Sequence, residues 1–177
     1  LPQSVKRDIQ KLHRQAERDR ADEQKAGAQT AAAGWNAAEP CATHPYLKAK
    51  GVQSHGLRIL GTQLLIPAYD LGGELSSYQR ILLKGEKWFL KGAATSLTSF
   101  RIGDFKNASV VGIAEGYATA ATIHELTGWP CIVTFSASNM SKLAPHLRTQ
   151  MPDAALVFCG DNDKNETGQK AARKAAQ

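Results

Sequence analysis

Val110-Val111-Gly112-Ile113-Ala114-Glu115-Gly116 is a short apolar run that breaks on a carboxylate and a glycine. Ala155-Leu156-Val157-Phe158-Cys159-Gly160 has the same form and breaks on Asp161-Asn162-Asp163. Between them lies a third run, Cys131-Ile132-Val133-Thr134-Phe135. Each is short, rich in β-branched or aromatic residues, and followed by a segment with helical spacing. We read strand 109–114, helix 117–126 closed by Gly128, strand 131–135, helix 141–150 closed by Met151-Pro152, strand 155–159 and a helix from 166 onward. Strands alternating with helices predict a parallel sheet flanked by helices, the α/β class. Ligands of such sheets bind at the carboxyl ends of the strands.

Glu115, Asp161 and Asp163 all fall at that edge. Three carboxylates there repel one another unless a cation sits between them, and hard oxygen ligands suit Mg²⁺ or Mn²⁺. Gly116 permits a sharp turn behind Glu115. Asp161 and Asp163, two apart in an extended segment, share a face. The plain alternatives are a solvated loop acid for Glu115 and helix caps for the two aspartates. Both motifs at the tips of two strands in one sheet favour the metal. Its chemistry would be activation of a hydroxyl and support of a triphosphate; Glu115 is alternatively a general base.

Upstream the pattern changes twice. Residues 1–39 read as an N-terminal helix and linker, helical over residues 4–25 with a thin apolar stripe of Val5, Ile9, Leu12 and Ala16. Residues 34–45 read as a loop, and residues 44–51 as a short helix capped by Gly51. Residues 40–106 form a basic, strand-rich α+β subdomain, an antiparallel meander built on 64–70, 75–83 and 87–90. Residues 107–177 carry the alternating pattern. The chain lacks an initiating Met and stops inside a charged helical segment, so it reads as a piece of a longer protein, truncated at its C-terminal side.

Lys and Arg number 22 against 16 Asp and Glu, a mild excess whose placement matters more than its size. Residues 48–106 hold nine Lys or Arg and four acids, whereas residues 107–141 hold no Lys or Arg. The positive charge is thus grouped just ahead of the acidic motifs. Arg80, Lys84, Lys87 and Lys91 are candidates for phosphate contact; their bland reading is a set of edge-strand charges that discourage pairing. Trp88 and Phe89 read as packing residues. His124 reads as structural, and Ser138, Asn139 or Ser141 as a helix cap. Cys41, Cys131 and Cys159 form no disulfide framework, which suits a reducing cytoplasm, and no 18-residue apolar run predicts a membrane span. Cys41-Ala42-Thr43-His44 is half a zinc pattern without a second pair.

Residues 108–174 resemble the TOPRIM domain of bacterial-type primases, topoisomerases and some nucleases, whose marks are Glu-Gly after the first strand and Asp-x-Asp after the third. Here these are Glu115-Gly116 and Asp161-Asn162-Asp163. The likeness runs upstream through Tyr78-Gln79-Arg80-Ile81-Leu82 and Lys87-Trp88-Phe89-Leu90-Lys91-Gly92. His44-Pro45-Tyr46-Leu47, Leu65-Ile66-Pro67 and Glu115-Gly116-Tyr117-Ala118-Thr119-Ala120 look most like the primases of plasmids and phages. The resemblance implies a DNA primase core that copies single-stranded DNA into short RNA primers from ribonucleoside triphosphates. It implies Mg²⁺ or Mn²⁺ at Glu115, Asp161 and Asp163, and Arg80 and Lys87 against nucleotide or template. It also implies a helicase or further domains of a longer polypeptide as partners, and no membrane. The rivals are a TOPRIM nuclease or topoisomerase and a non-catalytic nucleic-acid-binding module of a replication or mobilisation protein.

Overall fold

The computed structural model describes residues 2–160 and 167–176. Its elements in chain order are α1 (Gln3–Ala37), β1 (Glu39–Pro40), α2 (Pro45–Lys50), β2 (Arg58–Leu60), β3 (Gln63–Tyr69), β4 (Leu75–Ile81) and β5 (Lys87–Phe89). Then come β6 (Phe100–Ile102), β7 (Val110–Ala114), α3 (Tyr117–Thr127), β8 (Cys131–Val133), α4 (Ala137–Gln150), β9 (Ala155–Cys159) and α5 (Thr167–Ala175). They make two sheets. The first is antiparallel throughout, in the order β1-β2-β3-β4-β5. The second has the order β6-β8-β7-β9, with β7, β8 and β9 parallel and β6 antiparallel at one edge. The fold is α/β, as the alternating runs predict.

The strand-rich region and the parallel sheet share one core. Leu64, Ile66 and Ile81 of the first sheet pack in a single cluster with Phe100, Ala114, Tyr117, Ala120 and Val133 of the second. A second cluster lies under α4 and α5, where Val111, Ile113 and Ile132 meet Met140, Leu143, Leu147 and Ala172. β7, central in its sheet, is therefore covered on both faces, which is why its sequence is apolar without alternation.

α1 is longer than its sequence predicts. It runs past residue 25 through Gly27, and on through Gly34 to Ala37, into the stretch that reads as a loop. Both glycines are places of close approach. A Cβ on Gly27 would lie 2.6 Å from Ala93 Cα, and one on Gly34 would lie 2.5 Å from the Tyr78 hydroxyl. The C-terminal part of α1 thus lies directly on β4, around a small cluster of Ala31, Ala38, Leu65 and Tyr78. Its N-terminal part is bare: Val5, Ile9 and Leu12 are all exposed, Leu12 at 71%. Helix α4 also begins earlier than expected, at Ala137. The Ser136 hydroxyl accepts a hydrogen bond from Asn139 N (3.1 Å), so Ser136 is the cap rather than Ser138, Asn139 or Ser141. His44 caps α2, accepting from Tyr46 N at Nδ1 (3.2 Å) and donating from Nε2 to Thr62 O (3.1 Å). Both ring nitrogens are used, which removes it as half of a zinc site.

Candidate metal and nucleic-acid site

Glu115 stands at the carboxyl end of β7. The register pairs Ala114 with Val133 of β8 and with Cys159 of β9. Three parallel strands therefore end level with one another, and the next residues form one edge: Glu115, Thr134 and Gly160. Phe135 N donates to Glu115 O (2.8 Å) and Thr134 N to Ala114 O (2.9 Å), so the continuation of β8 holds the backbone at the acidic tip. Phe135 reaches this bond in a left-handed conformation (φ 67°), a strain accepted only where the surroundings impose it. Helix α3 starts at Tyr117, two residues beyond Glu115, and turns its positive N-terminal end to the same edge.

Asp161 and Asp163 lie outside the described residues. The strand that leads to them does not: β9 delivers Gly160 to the edge occupied by Glu115. A Cβ on Gly160 would fall 2.5 Å from Gly168 O and 2.6 Å from Gly168 C, backbone atoms at the start of α5. Only glycine fits, and the close approach brings the first turn of α5 against the tip of β9. Among the described residues no three His, Cys, Asp or Glu side chains gather as a metal site. Glu115 is the one member of the expected trio within them, and its hard carboxylate oxygens at a helix-flanked strand tip suit Mg²⁺ or Mn²⁺.

The basic candidates divide between two faces. Arg80 pairs with Leu65 and Trp88, whereas Ile81 pairs with Leu64 and Lys87. Cross-strand partners share a face, so Arg80 and Trp88 lie on the α1 side, with Leu65 and Tyr78. Lys87 and Phe89 lie on the side of the parallel sheet, with Leu64 and Ile66. Arg80 and Lys87 thus lie on opposite faces of the sheet. Phe89 meets Phe135 edge-on, ring centroids 5.3 Å apart, so the Lys87 face of β5 abuts the residue that holds Glu115 O. The Lys87 ammonium sits 5.6 Å over the Tyr46 ring. Lys84 is exposed in the β4–β5 hairpin, and Lys91 is exposed just past β5. Trp88, read as a packing residue, is 61% exposed.

Residues 110–177 match the family model of the Toprim domain. Over 146 residues the chain is 32% identical to the DNA primase TraC of Escherichia coli, an alignment that takes in 75% of this chain and 10% of the relative. The chain is a relative of the Toprim primases. Solved structures share its fold, two of them primases. The primase fragment of the bacteriophage T7 primase-helicase superposes with a TM-score of 0.59 at 17% identity, over 81% of this chain and 63% of that one. The DnaG catalytic core superposes with a TM-score of 0.51 at 12% identity, over 73% and 57%. The chain thus spans about a tenth of the length of the curated relative it matches.

Two polar clasps fasten the Toprim sheet to the strand-rich region, and the sequence reading anticipates neither. Asn139, 5% exposed, donates from Nδ2 to Thr98 O (2.7 Å) and Thr134 O (2.8 Å) and accepts from Leu97 N (2.7 Å). It ties the chain entering β6 to the end of β8. On the opposite side, Glu125 of α3 accepts from Gln53 N (2.8 Å) and pairs with His55 Nε2 (2.6 Å), whose ring stands edge-on to His124 at 5.1 Å. Burial raises the Glu125 carboxyl. The Gln53 and His55 hydrogen bonds and the charges of His55 and His124 outweigh it, so its pKa lies below the ordinary carboxylate value. The buried Tyr117 hydroxyl donates to Gln53 O (2.6 Å). Burial first, then Glu125, Cys41 and Tyr46, pushes its pKa far up, so it stays a donor. Cys131 is likewise pushed up to about 11 by burial and then by Cys159. It remains a neutral thiol packed at Gly112, where a Cβ would come within 2.7 Å of its sulfur.

Proposed function

We propose that this chain is part of the catalytic core of a DNA primase, joining ribonucleotides on a single-stranded DNA template. The observation that carries the reading is the shared edge: Glu115 ends the central strand level with Gly160, the residue before Asp161. In this reading Glu115, Asp161 and Asp163 supply the carboxylate ligands. Bound Mg²⁺ or Mn²⁺ contributes Lewis acidity to the attacking hydroxyl and neutralises triphosphate charge. The 3′-hydroxyl of the growing primer gives up its proton to solvent, and its oxygen forms a bond to the α-phosphorus of the incoming nucleotide. The bond to the bridging oxygen breaks, and pyrophosphate leaves. Lys87, on the face beside Phe135, serves the nucleotide or the template near that edge. Lys84, Lys91 and Arg80 serve strand phosphates further out. Single-stranded DNA and ribonucleoside triphosphates are the partners this assigns, with a helicase or further domains of a longer protein beside them.

The experiment uses the full-length protein with single-stranded template, labelled ribonucleotides and Mg²⁺. Oligoribonucleotides that disappear with Glu115→Gln support the reading. Cleaved template with no oligomer would make it a Toprim nuclease, and a mobility shift alone would make it a binding module.

A further inference from the structure

Trp88 has no role in the chemistry above, and the core does not take it. β5 is the last strand of the antiparallel sheet, with no neighbouring strand on its outer side among the described residues. Trp88 points to the α1 side of that strand, but the cluster that α1 forms with that face, around Ala31, Leu65 and Tyr78, does not include it. The indole is left 61% exposed, whereas Trp35 and Trp129 are half-buried. Its cross-strand partner is Arg80, which is itself half-buried. The Arg80 Nε is shut off from solvent and has no acceptor among the described residues. The stretch from residue 80 to 91 carries Arg80, Lys84, Lys87 and Lys91 against a single acid, Glu86.

An exposed indole among cations that outnumber the acids is the composition of a single-strand platform: bases stack on the ring and the cations track the phosphates. A protein partner is the other occupant of an exposed tryptophan, but the surplus of three positive charges over these twelve residues favours a polyanion. We propose that Trp88 stacks a base of single-stranded nucleic acid at the β5 edge. The strand passes from the Lys87 face, beside the Toprim sheet, around that edge to the Arg80 face on the α1 side. This rests on the nucleic-acid part of the reading above and is independent of the metal chemistry. It adds a stacking residue and a path that leaves the carboxylate edge.

The test is equilibrium binding of a fluorescently labelled oligothymidylate to the full-length protein, with tryptophan emission followed in parallel. Wild type binds with quenching of its emission. Trp88→Ala loses that quenching and about five- to hundredfold in affinity, and Trp88→Phe recovers most of the affinity. On an abasic strand of equal length the wild type and Trp88→Ala bind alike. Equal affinity of Trp88→Ala and wild type for the oligothymidylate would overturn the proposal. So would an equal loss on the abasic strand, which would mean packing rather than stacking. If wild-type protein binds no single strand at all, the nucleic-acid reading falls with it. If it binds and only Trp88 is silent, the platform alone is lost. Unchanged thermal midpoints show that the variants are folded.

Discussion

The two sheets of this protein present their candidate residues in different places. The Toprim sheet presents Glu115 at the end of a strand, level with Gly160. The antiparallel sheet presents Arg80 and Lys87 on the faces of its strands, on opposite sides although both belong to one basic hairpin. Parallel strands joined by helical crossovers all have their carboxyl ends on one edge, so residues there stay neighbours even when the register shifts by one. A strand face depends on register, and a shift of one residue sends every side chain to the other side. The carboxylate edge is thus fixed by element order, and the basic surface by pairing.

If that division is right, the largest effect comes from the tip. Glu115→Gln should lower primer synthesis by about a thousandfold or more, as expected for loss of a metal-ligand charge. It should leave single-strand affinity within about twofold. A variant that loses binding and synthesis together would place Glu115 on the strand path and erase the distinction.

The next effect tests what holds the two regions together. Asn139→Ala removes three hydrogen bonds and leaves Leu97 N, Thr98 O and Thr134 O without their partner. The cost should be about 3 kcal/mol, or roughly 6–12 °C in Tm for a chain of this size. A loss below 1 °C would show that this clasp is dispensable and that the shared core around Ala114 and Tyr117, with the Glu125 clasp, is enough to join the two regions.

What was legible in the sequence follows the same line. The parallel strands, the helices between them and the place of Glu115 just past a strand could be read because buried strands are continuous apolar runs and their ends are marked by breakers. Gly128 and Gly51 close helices where their positions suggest, in left-handed conformations with φ of 74° and 67°. Gly27 and Gly34 misled, because a glycine that admits a neighbouring backbone or ring looks, in one dimension, like a glycine that ends a helix. Trp88 misled for the opposite reason: an aromatic residue in a strand is usually covered, and nothing in the local sequence says that the strand is the last in its sheet. Asn139 and Glu125 were not found as clasps because their partners, Thr98 and Gln53, are distant in the chain and are mostly backbone atoms. The structure supports a single tip acid within its described residues, and Asp161 and Asp163 fall outside them.

A smaller effect separates the faces. Lys87→Ala and Arg80→Ala should each weaken single-strand binding several-fold and lower the dependence of log affinity on log salt by about one contact. Because the residues lie on opposite faces and share no partner, the losses should add, with a coupling under about 0.5 kcal/mol in a double-mutant cycle. Strong coupling would mean that both cations grip the same phosphate, and the assignment of opposite faces from the register would be wrong.

The smallest effect lies at the other clasp and depends on pH. Glu125 is held below the ordinary carboxylate pKa in the folded protein. The stability this contributes is present above the unfolded carboxylate's pKa and is lost as the pH falls through the lower folded value. Glu125→Gln keeps an oxygen for Gln53 N and removes only the charge. At neutral pH the variant should melt about 1–3 °C below wild type. The two melting curves should converge in acid, where the wild-type carboxyl is protonated as well. A gap that stays constant down to acid pH would assign the loss to the shape of the Gln53 and His55 contacts instead. A variant as stable as wild type at every pH would show that Tyr117, through its bond to Gln53 O, is enough to hold this side of the strand-rich region to α3.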